Sequence, residues 1–145
     1  MKNLISTTMF TLVSVFAFSQ QINIHVTELQ DYVSNENLTP DEIFKVAHFD
    51  TDVRTVDGSY LFDLAKETVK FKTRKSSGTA NVISSIEKNG IYTIVFEELN
   101  GVGNKMYITM VVDTVKNNVF YTYQDPINNY TLAQQFTETE IKVKK

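Results

Sequence analysis

The stretch IYTIVFEELNGVGNKMYITMVVDTVKNNVFYTY, Ile91 to Tyr123, restricts the fold more than any other part of the chain. Its apolar residues recur at every second position, the period of a half-buried strand. Tyr92, Ile94 and Phe96 share one parity, and Met106, Ile108, Met110 and Val112 share another beyond the loop Leu99-Asn100-Gly101-Val102-Gly103. With Glu98 across from Asn104, Phe96 meets Met106, Ile94 meets Ile108 and Tyr92 meets Met110, an apolar face throughout. The same register sets Glu97 opposite Lys105, Val95 opposite Tyr107 and Thr93 opposite Thr109, favourable pairs for an outer face. A slip of one residue would turn Glu97 and Lys105 into the core, so the faces are strongly specified. Asn117-Asn118 tolerates the positive φ of a two-residue hairpin turn, which adds a third strand with Tyr123 against Val112 and Tyr121 against Thr114.

The same rhythm runs through most of the chain. Asp57-Gly58 predicts a hairpin with Val53 opposite Phe62 and Thr55 opposite Tyr60. A turn at Ala65-Lys66 then sets Phe62 against Val69 and Tyr60 against Phe71. Asn89-Gly90 allows two registers: a two-residue turn brings Ile83 and Ser85 beside Ile94 and Phe96, and a Gly-bulged turn brings Val82, Ser84 and Ile86 there. The bulged form buries more apolar side chains and is preferred. Asp125-Pro126 ends a strand, Thr131 to Phe136 reads as one helical turn, and Thr139, Ile141 and Val143 alternate as a last strand.

Upstream, Ile22, Ile24 and Val26 alternate, whereas Thr27-Glu28-Leu29-Gln30 has the form of a capping box opening one helical turn. Thr39-Pro40-Asp41-Glu42 starts a helix through Ile43, Phe44 and Ala47 that would lie against the β structure. The expectation is a mainly β fold: a single antiparallel meander of about eight strands, with one or two short helices near the N-terminus. It forms a small up-and-down barrel or a strongly curved sheet. Residues 20–47 are its strand and helix lead-in, and residues 48–145 the meander.

Residues 1–19 read as a secretory signal peptide: Lys2 supplies a charge, Leu4 to Phe18 is apolar, and Ala17-Phe18-Ser19 suits cleavage before Gln20. The apolar run falls short of the roughly 20 residues of a membrane span. No Cys follows to carry a lipid, so the expected mature protein is secreted or periplasmic, without a stable membrane anchor. It keeps 13 basic against 17 acidic residues, a balance that argues against nucleic acid as partner. A chain of this length buries roughly 65% of its unfolded surface and needs no staples. The absence of Cys excludes disulfides, thiol catalysis and thiolate metal sites.

No catalytic constellation assembles. His25 and His48, the only histidines, have no metal-ligand spacing, and no G-x-S-x-G elbow is present. Asp50, Asp52 and Asp57 lack the spacing of a calcium loop. Glu97 and Glu98 are neighbours on a strand and point to opposite faces, and Gly101-Val102-Gly103 is a hairpin loop rather than a phosphate cradle. The reading is therefore non-enzymatic, with no metal or cofactor implied. Two polar or aromatic groupings remain. Lys70, Lys72 and Arg74 form a basic stripe on one strand face with Arg54 beside it, suited to an anionic partner or simply to solvation. Tyr60, Tyr92, Tyr121 and Tyr123 fall on the inner face with Met106 and Met110; they either line a ligand cavity or make the core.

The strand-turn rhythm resembles that of lipocalin-like meander barrels. The G-x-W that opens the lipocalin pattern is missing, since the chain has no Trp, so the resemblance covers topology and carries over no residue. The aromatic and Met-rich inner face points to a small apolar or amphipathic ligand held inside the meander, with Tyr60, Tyr92, Met110, Tyr121 and Tyr123 lining the site. The alternative is a module that binds a protein or cell-surface polymer through its basic outer face or a sheet edge.

Overall fold

Alternation of apolar and polar residues gives every strand one face to bury, and a meander of such strands buries all of them at once by closing on itself. The computed structural model describes residues 20–34, 53–99, 102–125 and 130–145. The elements are β1 (Gln21–Ser34), β2 (Val53–Asp63), β3 (Thr68–Lys72), β4 (Ser77–Lys88), β5 (Ile91–Leu99), β6 (Lys105–Asp113), β7 (Asn118–Asp125) and β8 (Tyr130–Lys144). Each pairs antiparallel with its sequence neighbours, and β8 returns to β1, so the eight strands form a closed barrel. The described residues contain no helix. The helix expected from Thr39, together with His48, Asp50 and Asp52, lies outside them. The helical turns expected at Thr27–Gln30 and Thr131–Phe136 are instead parts of β1 and β8; a register shift against β8 between Val26 and Glu28 accommodates Thr27 as a bulge.

Several expected pairings are corrected, and in most cases by an even number of residues, which leaves the faces intact. Between β5 and β6 the register is Phe96 with Ile108, Ile94 with Met110 and Tyr92 with Val112, because the ladder runs on to Leu99 opposite Lys105. Glu97 meets Lys105 diagonally, Nζ to Oε2 3.0 Å. Between β6 and β7, Asp113 pairs with Asn118, so Tyr121 meets Met110 and Tyr123 meets Ile108. The Asp113 carboxylate makes the difference: it accepts from the backbone N–H of Val115 and Lys116, and Asn117 alone takes positive φ, 54°. The β2–β3 turn is built alike. Asp63 accepts from the Lys66 N–H and Glu67 has φ 54°, and Phe62 meets Val69 and Tyr60 meets Phe71 as expected.

Asn89-Gly90 takes positive φ at both residues, 55° and 82°, so the turn is the two-residue form and Ile86 faces solvent at 67% exposure. The expected bulge exists further in, between Val82 and Ser84, and turns Val82 inward against Phe96.

The largest correction is at Asp57-Gly58, which is not a turn. Continuous β2 passes through it, with Gly58 beside Val26 and Arg54 beside Leu29. A Cβ on Gly58 would stand 3.0 Å from Val26 Cγ1, so glycine here permits close approach of two strands. With no turn at this point, Arg54 shares the inward parity of Tyr60 and leaves the face of Lys70 and Lys72.

The barrel's two ends are built differently. At one end lie the β2–β3, β4–β5 and β6–β7 turns, and below them the interior is filled. Ile22, Ile24, Phe62, Val69, Ile94, Ile108, Met110, Val112 and Val119 are fully buried. Phe62 sets its ring edge-on to Phe96, centroids 5.7 Å apart at 69°. Tyr92 closes this end, its hydroxyl accepting from Gln20 Nε2 at 2.5 Å. The other end, where β1 leaves and the β3–β4 and β5–β6 connections cross, is open. Outside, Phe120, Thr122 and Ala133 are buried although their parity turns them away from the lumen.

Candidate functional site

The open end holds a cavity of about 450 Å³, within the range of small-molecule sites. Apolar side chains make much of its wall: Val26 and Leu29 from β1, Val56 and Tyr60 from β2, Phe71 from β3, Tyr121 from β7 and Phe136 from β8. Each is at an inward position of its strand, and Gly58 keeps the β1–β2 wall thin. Phe136 lies between two tyrosines in near-parallel array, 6.1 Å and 22° from Tyr60, 6.2 Å and 23° from Tyr121. Burial, assisted by the Glu98 carboxylate, pushes the Tyr60 phenol up to about 12. Burial raises Tyr121 well above the ordinary phenol too, with Tyr60, Glu98 and Tyr123 adding to it. Both phenols therefore stay neutral and serve as hydrogen-bonding groups on an otherwise apolar wall.

Polar groups gather at the rim. Asp31 pairs with the Arg54 guanidinium and accepts from Gln134 Nε2 at 2.8 Å. Arg74, Lys75 and Ser76 come from the β3–β4 loop, where Thr73 organises the turn by accepting from the Ser76 N–H at 3.1 Å. Glu98, the last inward residue of β5, is half-buried, and desolvation holds its carboxyl above the ordinary range. Its neighbour Glu97 faces outward, where Lys105 and then Asn81 hold it below that range. Adjacent carboxylates on opposite faces thus carry opposite shifts.

Of the residues singled out in the sequence, the barrel brings Tyr60 and Tyr121 together on the cavity wall. Tyr92 lies at the closed end, Met110 is in the filled core, and Tyr123 packs against that core beside Tyr121. The basic group divides: Lys70 and Lys72 are exposed on the outside of β3, while Arg54 and Arg74 reach the cavity rim. Phe71, Phe136, Glu98 and Gln134 were not singled out. Phe136 was lost to the helical reading of Thr131–Phe136, and Glu98 was visible only as the inward member of a Glu-Glu pair. Among the described residues no three His, Asp or Glu side chains converge as metal ligands.

Comparison with protein families, with curated proteins and with solved structures finds no match to this chain.

Proposed function

We propose that the protein is an exported, non-enzymatic binding protein that holds a small apolar or amphipathic ligand in the open end of its barrel. The observation that carries this is the cavity of about 450 Å³ walled by Tyr60, Phe71, Tyr121 and Phe136 and edged by polar groups. A filled barrel would have carried its core to both ends; here the core stops at Tyr60 and Phe136. Export is supported by the charged, apolar and small-residue succession of residues 1–19. Native mass spectrometry of protein isolated from its source should show a small molecule travelling with the chain, and decanol should bind the stripped protein in calorimetry. Val56→Trp, which puts an indole into the cavity, should abolish both. A chain that carries nothing and takes up no decanol would remove the proposal.

A second reading rests on the β4 edge. Beyond Asn81, β4 has no partner in β3, so among the described residues Ile83–Lys88 pairs only with β5, and Ile83 and Ile86 are 54% and 67% exposed. An unpaired edge with apolar side chains is a place for another strand to add. Concentration-dependent self-association that Ile83→Lys and Ile86→Lys abolish would favour it; a monomer indifferent to both would not.

A further inference from the structure

We infer that the ligand's head group is a cation, an amine or quaternary ammonium, bound between the Glu98 carboxylate and the aromatic wall of Tyr60, Phe136 and Tyr121. This rests on the cavity being a ligand site. The other described acids at the rim have partners: Asp31 has Arg54 and Gln134, and Asp57 has His25 at 3.3 Å. Among the described residues Glu98 has no ion pair or hydrogen bond, although it is half-buried at an inward position. A carboxylate in such a place costs free energy unless a counter-charge arrives.

Among the described residues no cation is seen to supply one. Arg54 is taken by Asp31, and Lys105, one residue from the Glu98 ladder partner Met106, points outward to Glu97. Desolvation alone sets the Glu98 shift, without the lowering that a nearby Arg or Lys would cause. The groups that do feel Glu98 through space are the phenols of Tyr60 and Tyr121. The carboxylate and the three aromatic side chains therefore line one volume. A positive charge there gains from both, since the faces of aromatic rings attract cations and the attraction strengthens where water is excluded. An anionic head would meet the opposite: the carboxylate and the negative ring faces repel it, leaving only exposed Arg74 and Lys75, which water screens.

The test compares three probes with one tail, decyltrimethylammonium, decanol and decyl sulfate, each titrated calorimetrically below its micelle concentration. The native protein should bind the ammonium about 10-fold more tightly than the alcohol, the size of a charged contact in a partly wet site. Glu98→Gln should remove that advantage and leave decanol unchanged, and Glu98→Lys should transfer the preference to the sulfate. Circular dichroism confirms that both variants keep the barrel. An ammonium preference that survives Glu98→Gln, or a sulfate that binds tightest to the native protein, overturns the inference. Equal binding of ammonium and alcohol overturns it too but leaves the cavity reading standing, whereas three inert probes remove both.

Discussion

The two ends of this barrel are made by the same strands, and they differ in what lies on the inward positions. Towards the closed end β5 offers Tyr92, Ile94 and Phe96, and β2 offers Phe62, all buried. Towards the open end the same strands offer Glu98, and Val56 and Arg54. Large apolar side chains fill one end; polar or aromatic side chains leave the other hollow. The filled core and the proposed binding site are therefore separated along the barrel axis, and substitutions should sort accordingly.

The largest effect should come from the filled end. Phe62→Ala removes a fully buried ring that abuts Phe96, and urea unfolding should show a loss of about 3–5 kcal/mol. Val56→Ala at the cavity should cost only about 1 kcal/mol, because a side chain beside a void has fewer partners to lose. Equal losses would break the comparison.

Gly58 tests where the wall can thicken. Gly58→Val should cost about 1–3 kcal/mol by overpacking, because its Cβ would stand 3.0 Å from Val26 Cγ1. Adding Val26→Ala should recover most of it in the same measurement, which a turn at this position would not allow.

Next is Gly90→Ala in the β4–β5 turn, at φ 82°, with its Cβ 3.1 Å from Thr114 Oγ1. Thermal melts should report a loss of about 1–2 kcal/mol, with the proposed uptake of decanol at the open end unaffected.

The smallest effect is the pH dependence, and its sign sharpens the contrast. The Glu98 carboxyl is raised in the folded state, so the fold holds its proton more tightly than the unfolded chain does. Its favourable contribution is present below the ordinary carboxylate range and is lost as pH rises through the raised value. Glu97, Asp63 and Glu140 are lowered, by Lys105, Lys66 and Lys142 respectively, and their contributions run the other way, lost as pH falls. Native protein should therefore gain stability relative to Glu98→Gln on acidification from neutral pH. Parallel unfolding curves for the two proteins across that range would show Glu98 to be freely solvated.

How much of this was legible depended on whether a signal was periodic or local. Inward and outward faces came from period-two alternation, and the even slips at β5–β6 and β6–β7 could not disturb them. The slips themselves arose because turn residues have more than one use. Asp57-Gly58 carries a hairpin signature, yet its glycine serves strand approach, and only the pairing of Arg54 with Leu29 reveals that. Conversely, Asp63-Leu64-Ala65-Lys66-Glu67 and Asp113-Thr114-Val115-Lys116-Asn117 share an Asp and a Lys at matching places and make matching turns. That likeness was present in the sequence as a repeated local signal. The cavity was not legible, because an inward tyrosine reads the same whether it meets another ring or a void. Which it meets depends on how far opposite strands stand apart, a property of the closed ring and of no single strand.

The seam between β1 and β8 has a bearing on how the chain reaches this state. The ladder begins with Gln21 beside Lys144 and runs to Ser34 beside Thr131, so strands of 14 and 15 residues at opposite ends of the barrel sequence close it. Closure thus depends on contacts of very high sequence separation, the kind that slow folding. Until β8 has docked, β1 and β7 each present an open edge, and whatever accompanies the nascent chain must keep those edges apart from other strands.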